Sequence, residues 1–403
     1  VSPEHEVSVI SSLQAAAALD RSRYRPFPVY VGKDGTWYTG DHLLDPASFA
    51  DLDALRAKAT PVFVNPSAER HLELIEPQTE GVLRKDWSVH RIDVAFLGFH
   101  GGEGESGGFQ GLMETLNVPY TGASVLGSAV GIDKVVCKYL CRDQDIPVVD
   151  FVALRESDWA GKEEAMMDRI EEQLGYPVIV KPSRLGSSIG IGKADDRVEL
   201  DAAIEEALRY DDKILVEHAI EDLREINCSV LGDPGDATAA VLEEPIRSKG
   251  EKLLTFQEKY MRGGGGGKGG SKGRRGTKEK KDGSSGMASL DRMIPAPLTP
   301  EQTERIQSLG VRVFQTFECA GVARLDFMID GATDTIYFNE INTIPGSFSF
   351  YLWEPSGVPF AELTHRMIQT GLDRHQRKNS RVRSYDVNLL SAKSLSGIKG
   401  AKS

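Results

Sequence analysis

Two stretches late in the chain, Gly321–Asp330 and residues 335–346, are apolar runs interrupted at alternate positions by charged or amide residues. Strand side chains alternate between faces, and only Gly331 to Asp334 lie between the runs. The pattern therefore predicts two antiparallel strands joined by a short turn. Arg324 and Asp326 share one face of the first strand, and Glu340 and Asn342 share one face of the second. If those faces coincide, one patch holds a guanidinium, two carboxylates and an amide oxygen. Hard oxygen donors of this kind suit Mg²⁺. A solvated strand face is the common cause of polar alternation. Here Leu325, Phe327, Phe338 and Ile341 separate the polar residues and the second strand runs into a Thr-x-Pro-Gly turn, a context that favours a metal site.

Elsewhere the apolar spacing alternates between the two periods. Ser2-Pro3-Glu4 reads as a helix start, followed by Val7, Ile10, Leu13 and Ala17 at helical spacing. Residues 27–31 read as a short strand. Residues 91–99 read as a buried strand that ends abruptly at the glycine-rich loop 100–111, with helix through Leu116 and a longer helix from about 123 to Cys141. This alternation predicts an α/β first domain with a mostly parallel sheet, whose ligands sit at the carboxyl ends of strands, where His100 lies. Glu105 among the glycines speaks against a plain phosphate cradle and suits a structural or orienting role. A second α/β unit follows from Pro147, with strand 150–154, helix 160–174 and a strand ending in Lys181. The small-residue loop after Lys181, with Ser187 and Ser188, can cradle an anion through successive N–H groups. It is not G-x-x-x-x-G-K-[ST] and so not a P-loop. Helix 198–210 and strands 213–217 and 225–231 come next. Glu217 and Glu225 interrupt or end apolar runs, which is costly without a partner: a ribose hydroxyl, a metal or a salt bridge. Strand 253–260, helix 300–319 and helix 359–372 complete the pattern, and the aromatics at 348–353 read as packing.

Composition adds limits. The chain is long enough for two or three domains. It has no apolar run of the ~18 residues that a membrane span needs and no signal-peptide pattern at its start. Four scattered cysteines, Cys137, Cys141, Cys228 and Cys319, suit a reducing cytoplasm rather than a disulfide scaffold. The first two read as small buried residues on one helical face. The net charge of −12 conceals two basic segments, 262–286 and 377–403, poor in apolar residues and predicted to be flexible. The acidic remainder argues against nucleic acid as the main partner.

At this point five motifs coincide: His100-Gly-Gly-Glu-Gly-Glu-Ser-Gly-Gly-Phe-Gln-Gly111, Lys181-Pro-Ser-Arg-Leu-Gly-Ser-Ser188, Glu258-Lys-Tyr260, Arg324-Leu-Asp326 and Glu340-Ile-Asn-Thr-Ile-Pro-Gly346. Together they resemble the D-alanine–D-alanine ligases of the ATP-grasp superfamily, over nearly the whole chain. The resemblance implies an ATP-grasp fold preceded by a Rossmann-like α/β domain. It divides the chain into 1–130, 131–217 and 218–375, with a flexible insert at 262–286 and a disordered tail from 376 to 403. It also implies a cytoplasmic homodimer that takes D-alanine and ATP, with two Mg²⁺ for which Mn²⁺ would substitute. The first D-alanine would be phosphorylated to an acyl phosphate, which the amine of the second would attack.

Carried over motif by motif, Glu4 would hold the first ammonium and His100 would lie by its carboxylate. Lys134, Lys181 and Lys259 would contact phosphates, and Glu217 and Glu225 the adenosine. Asp326, Glu340 and Asn342 would bind the metal ions. Arg324 and the N–H of Gly346 would stabilise the oxyanion, and Glu4, Ser187 and Tyr260 would link the closing loops. Three departures stand out. Ser106 replaces the family's usual Asp. Tyr351 replaces a small hydroxyl residue near the second substrate's carboxylate, which leaves D-lactate and D-serine as alternative second substrates. The family's first strand and Gly-Gly turn, which would precede Ser2, are absent, so the first domain is expected to lack a strand. A nucleotide-binding protein without turnover is the remaining alternative, and the retained Arg324, Asp326, Glu340 and Asn342 argue against it.

Overall fold

The computed structural model describes residues 2–66, 71–77, 87–246 and 292–382. The predicted strand 253–260, with Lys259 and Tyr260, the insert 262–286 and the tail from 383 onward lie outside the described residues. The chain opens with α1 (His5–Ala18), β1 (Val29–Val31), β2 (Trp37–Thr39), α2 (Leu52–Lys58), β3 (Thr60–Asn65), β4 (Leu72–Pro77) and β5 (Trp87–Ile92). It continues through α3 (Gly102–Glu105), α4 (Gly108–Thr115), α5 (Val125–Ile132), α6 (Lys134–Asp143), β6 (Phe151–Arg155), α7 (Glu156–Trp159) and α8 (Glu163–Leu174). Then come β7 (Val178–Pro182), β8 (Gly192–Ala194), α9 (Arg197–Leu208), β9 (Lys213–His218), β10 (Leu223–Gly232), β11 (Thr238–Pro245) and β12 (Arg292–Met293). The chain closes with α10 (Pro300–Thr316), β13 (Gly321–Asp330), β14 (Thr335–Asn342), α11 (Phe350–Trp353) and α12 (Phe360–Asn379).

Three sheets result, in the orders β1-β2-β3-β4-β5, β6-β9-β7-β8 and β12-β11-β10-β13-β14. The α/β class holds, but the mostly parallel first sheet does not. Each pairing of β1 to β5 is antiparallel, and parallel pairing there is confined to a bridge between Ala95 and Tyr120. β1 and β2 are joined by too short a connection for a parallel crossover. The apolar run after β5 serves packing instead of a ladder, with Phe96 edge-on to Phe348 at 5.2 Å.

Other boundaries shift for local reasons. α1 starts at His5, after a turn in which the Glu4 N–H donates to the Ser2 hydroxyl at 3.0 Å. The long helix expected to reach Cys141 is two helices, broken at Asp133, whose carboxylate caps α6 by accepting from the Val136 N–H at 3.1 Å. α12 runs to Asn379, into the segment expected to be disordered, because Arg377 pairs with Asp233 and Lys378 with Glu114.

Three main cores follow the sheets. One joins α1 and the first sheet to Phe348, Leu352, Leu363 and Met367. A second fills the sheet of β10, β13 and β14 under α10. A third, between Val152 and Val216, belongs to the β6-β9-β7-β8 sheet alone. α6 touches two of these bodies: Cys137 and Cys141 enter the second core, while Val135 packs on Phe151 and Leu215 of the central sheet. All four cysteines are free and buried, as their scatter suggested.

Candidate active site

β13 and β14 pair as the alternation predicts. Arg324 faces Asn342 and Asp326 faces Glu340 across the ladder, so the polar faces coincide. The Arg324 guanidinium grips Asp326 through two bonds, Nε to Oδ1 at 2.7 Å and Nη2 to Oδ2 at 2.8 Å, and the Asn342 amide donates to the same Oδ2 at 3.3 Å. Glu340 lies 3.2 Å from the Lys134 ammonium. Among the described residues no three His, Cys, Asp or Glu side chains gather into a metal-holding group. The set here is two carboxylates and one amide, which fits Mg²⁺, an ion that usually keeps water and substrate phosphate as its other ligands.

Lysines converge from a second direction. Lys134, the first residue of α6, donates to the Leu185 carbonyl at 2.7 Å. Lys181 ends the apolar part of β7 and meets Asn339 Oδ1 at 3.2 Å. Its ammonium also pairs with Glu217 of β9, whose other carboxylate oxygen lies 2.5 Å from Lys138. Glu217 and Lys138 are almost wholly inaccessible, at 1% and 0%. Burial alone would raise the Glu217 carboxyl. The two ammonium groups outweigh it and hold the group at about 2. Of the options open for Glu217 in the sequence, the structure shows the salt bridge. Glu225 stands on β10, and its charge reaches Lys181.

The third wall comes from the start of the chain. The Ser187 hydroxyl donates to the Glu4 carboxylate, joining the loop after β7 to the turn before α1. Ser187 and Ser188 hold φ of 55° and 59°, the left-handed turn that presents consecutive amides. His100 is buried, with Nε2 2.8 Å from the Ser11 hydroxyl, and Ser11 in turn accepts from the Ser347 N–H at 2.9 Å. Gly346 therefore leads directly into an anchored segment, in which Ser347, Phe348 and Ser349 all have φ near +51°. Glu105 acts as an orienter of backbone: its carboxylate accepts from Gly101 N–H at 2.9 Å and Ile344 N–H at 3.2 Å.

Burial pushes the His100 imidazole down to about 4. Burial, and then the Glu4 charge, push the Glu105 carboxyl up to about 7. The unfolded chain binds more protons at His100 between about 4 and 6.5, so this group costs stability as pH falls. The folded chain binds more at Glu105 between about 4.5 and 7, so this group costs stability as pH rises. Between pH 7 and 5 the two oppose one another, each by roughly 2 kcal/mol. Relative to the unaltered protein, His100→Gln should gain stability on going from pH 7 to 5 and Glu105→Gln should lose it. Urea midpoints at the two pH values check both signs.

Tyr351 is enclosed rather than displayed. Its hydroxyl lies 3.3 Å from Glu243 Oε1, and the Arg292 guanidinium sits 3.9 Å over its ring. Arg292 pairs with Glu243 at 2.6 Å, and the Asn227 amide donates to Glu243 at 2.7 Å. Asn227 faces both Glu243 and Asp326 in the ladder, which ties this cluster to the Arg324 strand. Sequence reasoning missed Lys138, Ser11, Glu243 and Arg292. For Lys138 a signal existed: it stands one turn after Lys134, beside the two cysteines of an apolar helix face.

Of the residues expected from the sequence, the structure brings together Glu4 with Ser187, Lys134 with Glu340, Lys181 with Glu217, and Arg324 with Asp326 and Asn342. The family model described as D-ala D-ala ligase N-terminus matches residues 1–123, and that for the D-ala D-ala ligase C-terminus matches residues 140–268 and 278–369. The D-alanine–D-alanine ligase of Thermosipho melanesiensis is 37% identical over 392 residues, covering 97% of this chain and 96% of that protein. The structure of the D-alanine–D-alanine ligase from Coxiella burnetii aligns with a TM-score of 0.72 at 28% identity, covering 96% of this chain and 97% of that one. The VanG D-Ala:D-Ser ligase from Enterococcus faecalis aligns with a TM-score of 0.72 at 28% identity, covering 92% and 96%. Matched by the family's two models over most of its length, and by a relative above a third identical over almost its full length, the chain belongs to the D-alanine–D-alanine ligase family.

Proposed function

We propose that this chain joins two D-alanines into D-alanyl-D-alanine at the expense of ATP, releasing ADP and phosphate, to supply peptidoglycan precursor synthesis. The observation that carries the reading is the coincidence of the Arg324, Asp326, Glu340 and Asn342 faces opposite Lys134 and Lys181. Phosphoryl transfer asks a protein for charge neutralisation and in-line positioning more than for covalent chemistry, and this patch gathers the charges for the first.

In this reading Lys134, Lys181 and Lys259 hold the ATP phosphates. Glu225 meets the ribose. Glu217, with both carboxylate oxygens committed to lysines, holds those lysines, and the adenosine contact first assigned to it passes to Glu225. Asp326, Glu340 and Asn342 would hold two Mg²⁺, which when bound neutralise phosphate charge; Mn²⁺ would serve in their place. Glu4 takes the ammonium of the first D-alanine and neutral His100 lies by its carboxylate. Arg324 and the Gly346 N–H face the oxyanion of the tetrahedral intermediate. The Glu4–Ser187 contact, completed by Tyr260, closes the site against water, which would otherwise hydrolyse the acyl phosphate. None of the described helices is long and apolar enough to cross a membrane, and we assign the reaction to a cytoplasmic homodimer.

The test is ADP release with Mg²⁺-ATP and D-alanine alone, then with D-lactate or D-serine added, with product masses read out. D-alanine alone should give the D-alanyl-D-alanine mass. A mixed product dominating at equal concentrations would reassign the second substrate and point to the Tyr351 cluster. ATP binding without ADP release would favour a nucleotide binder without turnover.

A further inference from the structure

Lys138 lies outside the roles assigned above, yet its side chain is among the largest fully buried ones of the described residues. A lysine is seldom enclosed without a reason, because removing its charge from water is costly. Here the ammonium has one ionic partner in hand, Glu217 Oε1 at 2.5 Å, and the other oxygen of that carboxylate belongs to Lys181. Lys181 feels several carboxylates, Glu217 most strongly, then Glu340 and Glu225. With Lys138 absent, Glu217 and Lys181 would form a closed neutral pair, set among further acids. An anionic triphosphate would then meet a lysine already spent.

We infer that Lys138 is a positioning residue for nucleotide binding: it neutralises Glu217 from behind, so that the Lys138–Glu217–Lys181 triad keeps one net positive charge and Lys181 presents it to the phosphates. The inference rests on the nucleotide-site reading given above. It explains why Glu217 is fixed from both sides, since a carboxylate shared by two ammonium groups holds Lys181 in place without cancelling it. It also explains why Lys134 and Lys138 share one helix, a turn apart: the first faces the ligand side at Leu185 and Glu340, the second the hidden side of the same charge system.

The experiment measures ATP affinity by calorimetry at fixed Mg²⁺, without D-alanine, and separately kcat and the KM for ATP. Lys138→Met keeps the length of the side chain and removes the charge. It should weaken ATP binding by roughly 10- to 50-fold, about 1.4 to 2.3 kcal/mol at 1.36 kcal/mol per decade, with the loss in KM rather than kcat. Lys138→Met combined with Glu217→Gln restores the single net charge and should return the affinity to within a few-fold of the unaltered protein. A purely structural role predicts instead a lowered thermal midpoint with no change in the ATP affinity of the folded single variant. Unchanged affinity in folded Lys138→Met, or a double variant weaker than the single one, would overturn the inference. If the single variant does not fold, the double variant decides: near-normal affinity supports the proposal, and a loss above tenfold defeats it. Failure of the unaltered protein to bind ATP at all would instead sink the nucleotide-site reading.

Discussion

Glu340→Gln should abolish ligation, lowering kcat by at least about 10³-fold, the scale on which phosphoryl-transfer enzymes lose rate when a charge-stabilising group is removed. Glu340 sits on β14 directly across from Asp326 and beside the Lys134 ammonium. Its side chain is about a quarter exposed (26%), so the amide is not forced into an enclosed apolar site and the fold should survive. Lys134 keeps its bond to the Leu185 carbonyl. The loss should therefore appear in turnover and in the Mg²⁺ dependence, with little change in thermal midpoint. ADP release and a melting curve on the same sample check both halves. A fully active Glu340→Gln enzyme would remove this residue from the metal set.

Arg324→Met should damage stability and turnover together. Arg324 is buried, and the adjacent Asp326 carboxylate holds its guanidinium well above the usual range against the effect of burial. Taking away one partner of a fully buried pair costs about 3–5 kcal/mol; the cost here should lie below that range, because the Asp326 side chain is 17% exposed and keeps the Asn342 amide. Loss of an oxyanion-stabilising donor costs kcat about 10²- to 10³-fold. The two effects separate in the double variant with Asp326→Asn. Removing the orphaned charge should recover much of the stability and none of the activity. If the double variant were as unstable as the single one, the pair would not be the reason Arg324 tolerates burial.

How much of this could be read in the sequence depends on the range of the contact. The β13–β14 pair was legible because its chemistry is local: period-2 alternation and a short turn bring Arg324, Asp326, Glu340 and Asn342 onto one face. The Glu4–Ser187 contact spans most of two domains and could be expected only through the family resemblance. The first sheet was misread because residues 91–99 carry the composition of a buried strand, whereas burial there comes from packing under Phe348. Lys138 and Glu243 were missed for a related reason. A buried charge looks like any surface charge in sequence until its partner, on a strand far along the chain, is known. The enclosure of Tyr351 by Glu243 and Arg292 was equally out of reach, because it depends on β11 and β12 meeting across a long excursion of the chain.

The two-sided packing of α6 has a mechanical consequence. The central sheet has a core of its own and meets α6 through the small cluster of Val135, Phe151 and Leu215, so it would turn as a stiff leaf about that contact. α6 is gripped on one side by that leaf, through Val135, and on the other by the body that carries β13 and β14, through Cys137 and Cys141. It lies where an axle would. Lysines mounted on an axle change their distances least when the leaf turns. Lys134 and Lys138 would thus keep station while the Ser187 loop travels at the end of the lever, and Lys181, carried on β7, would move with the leaf.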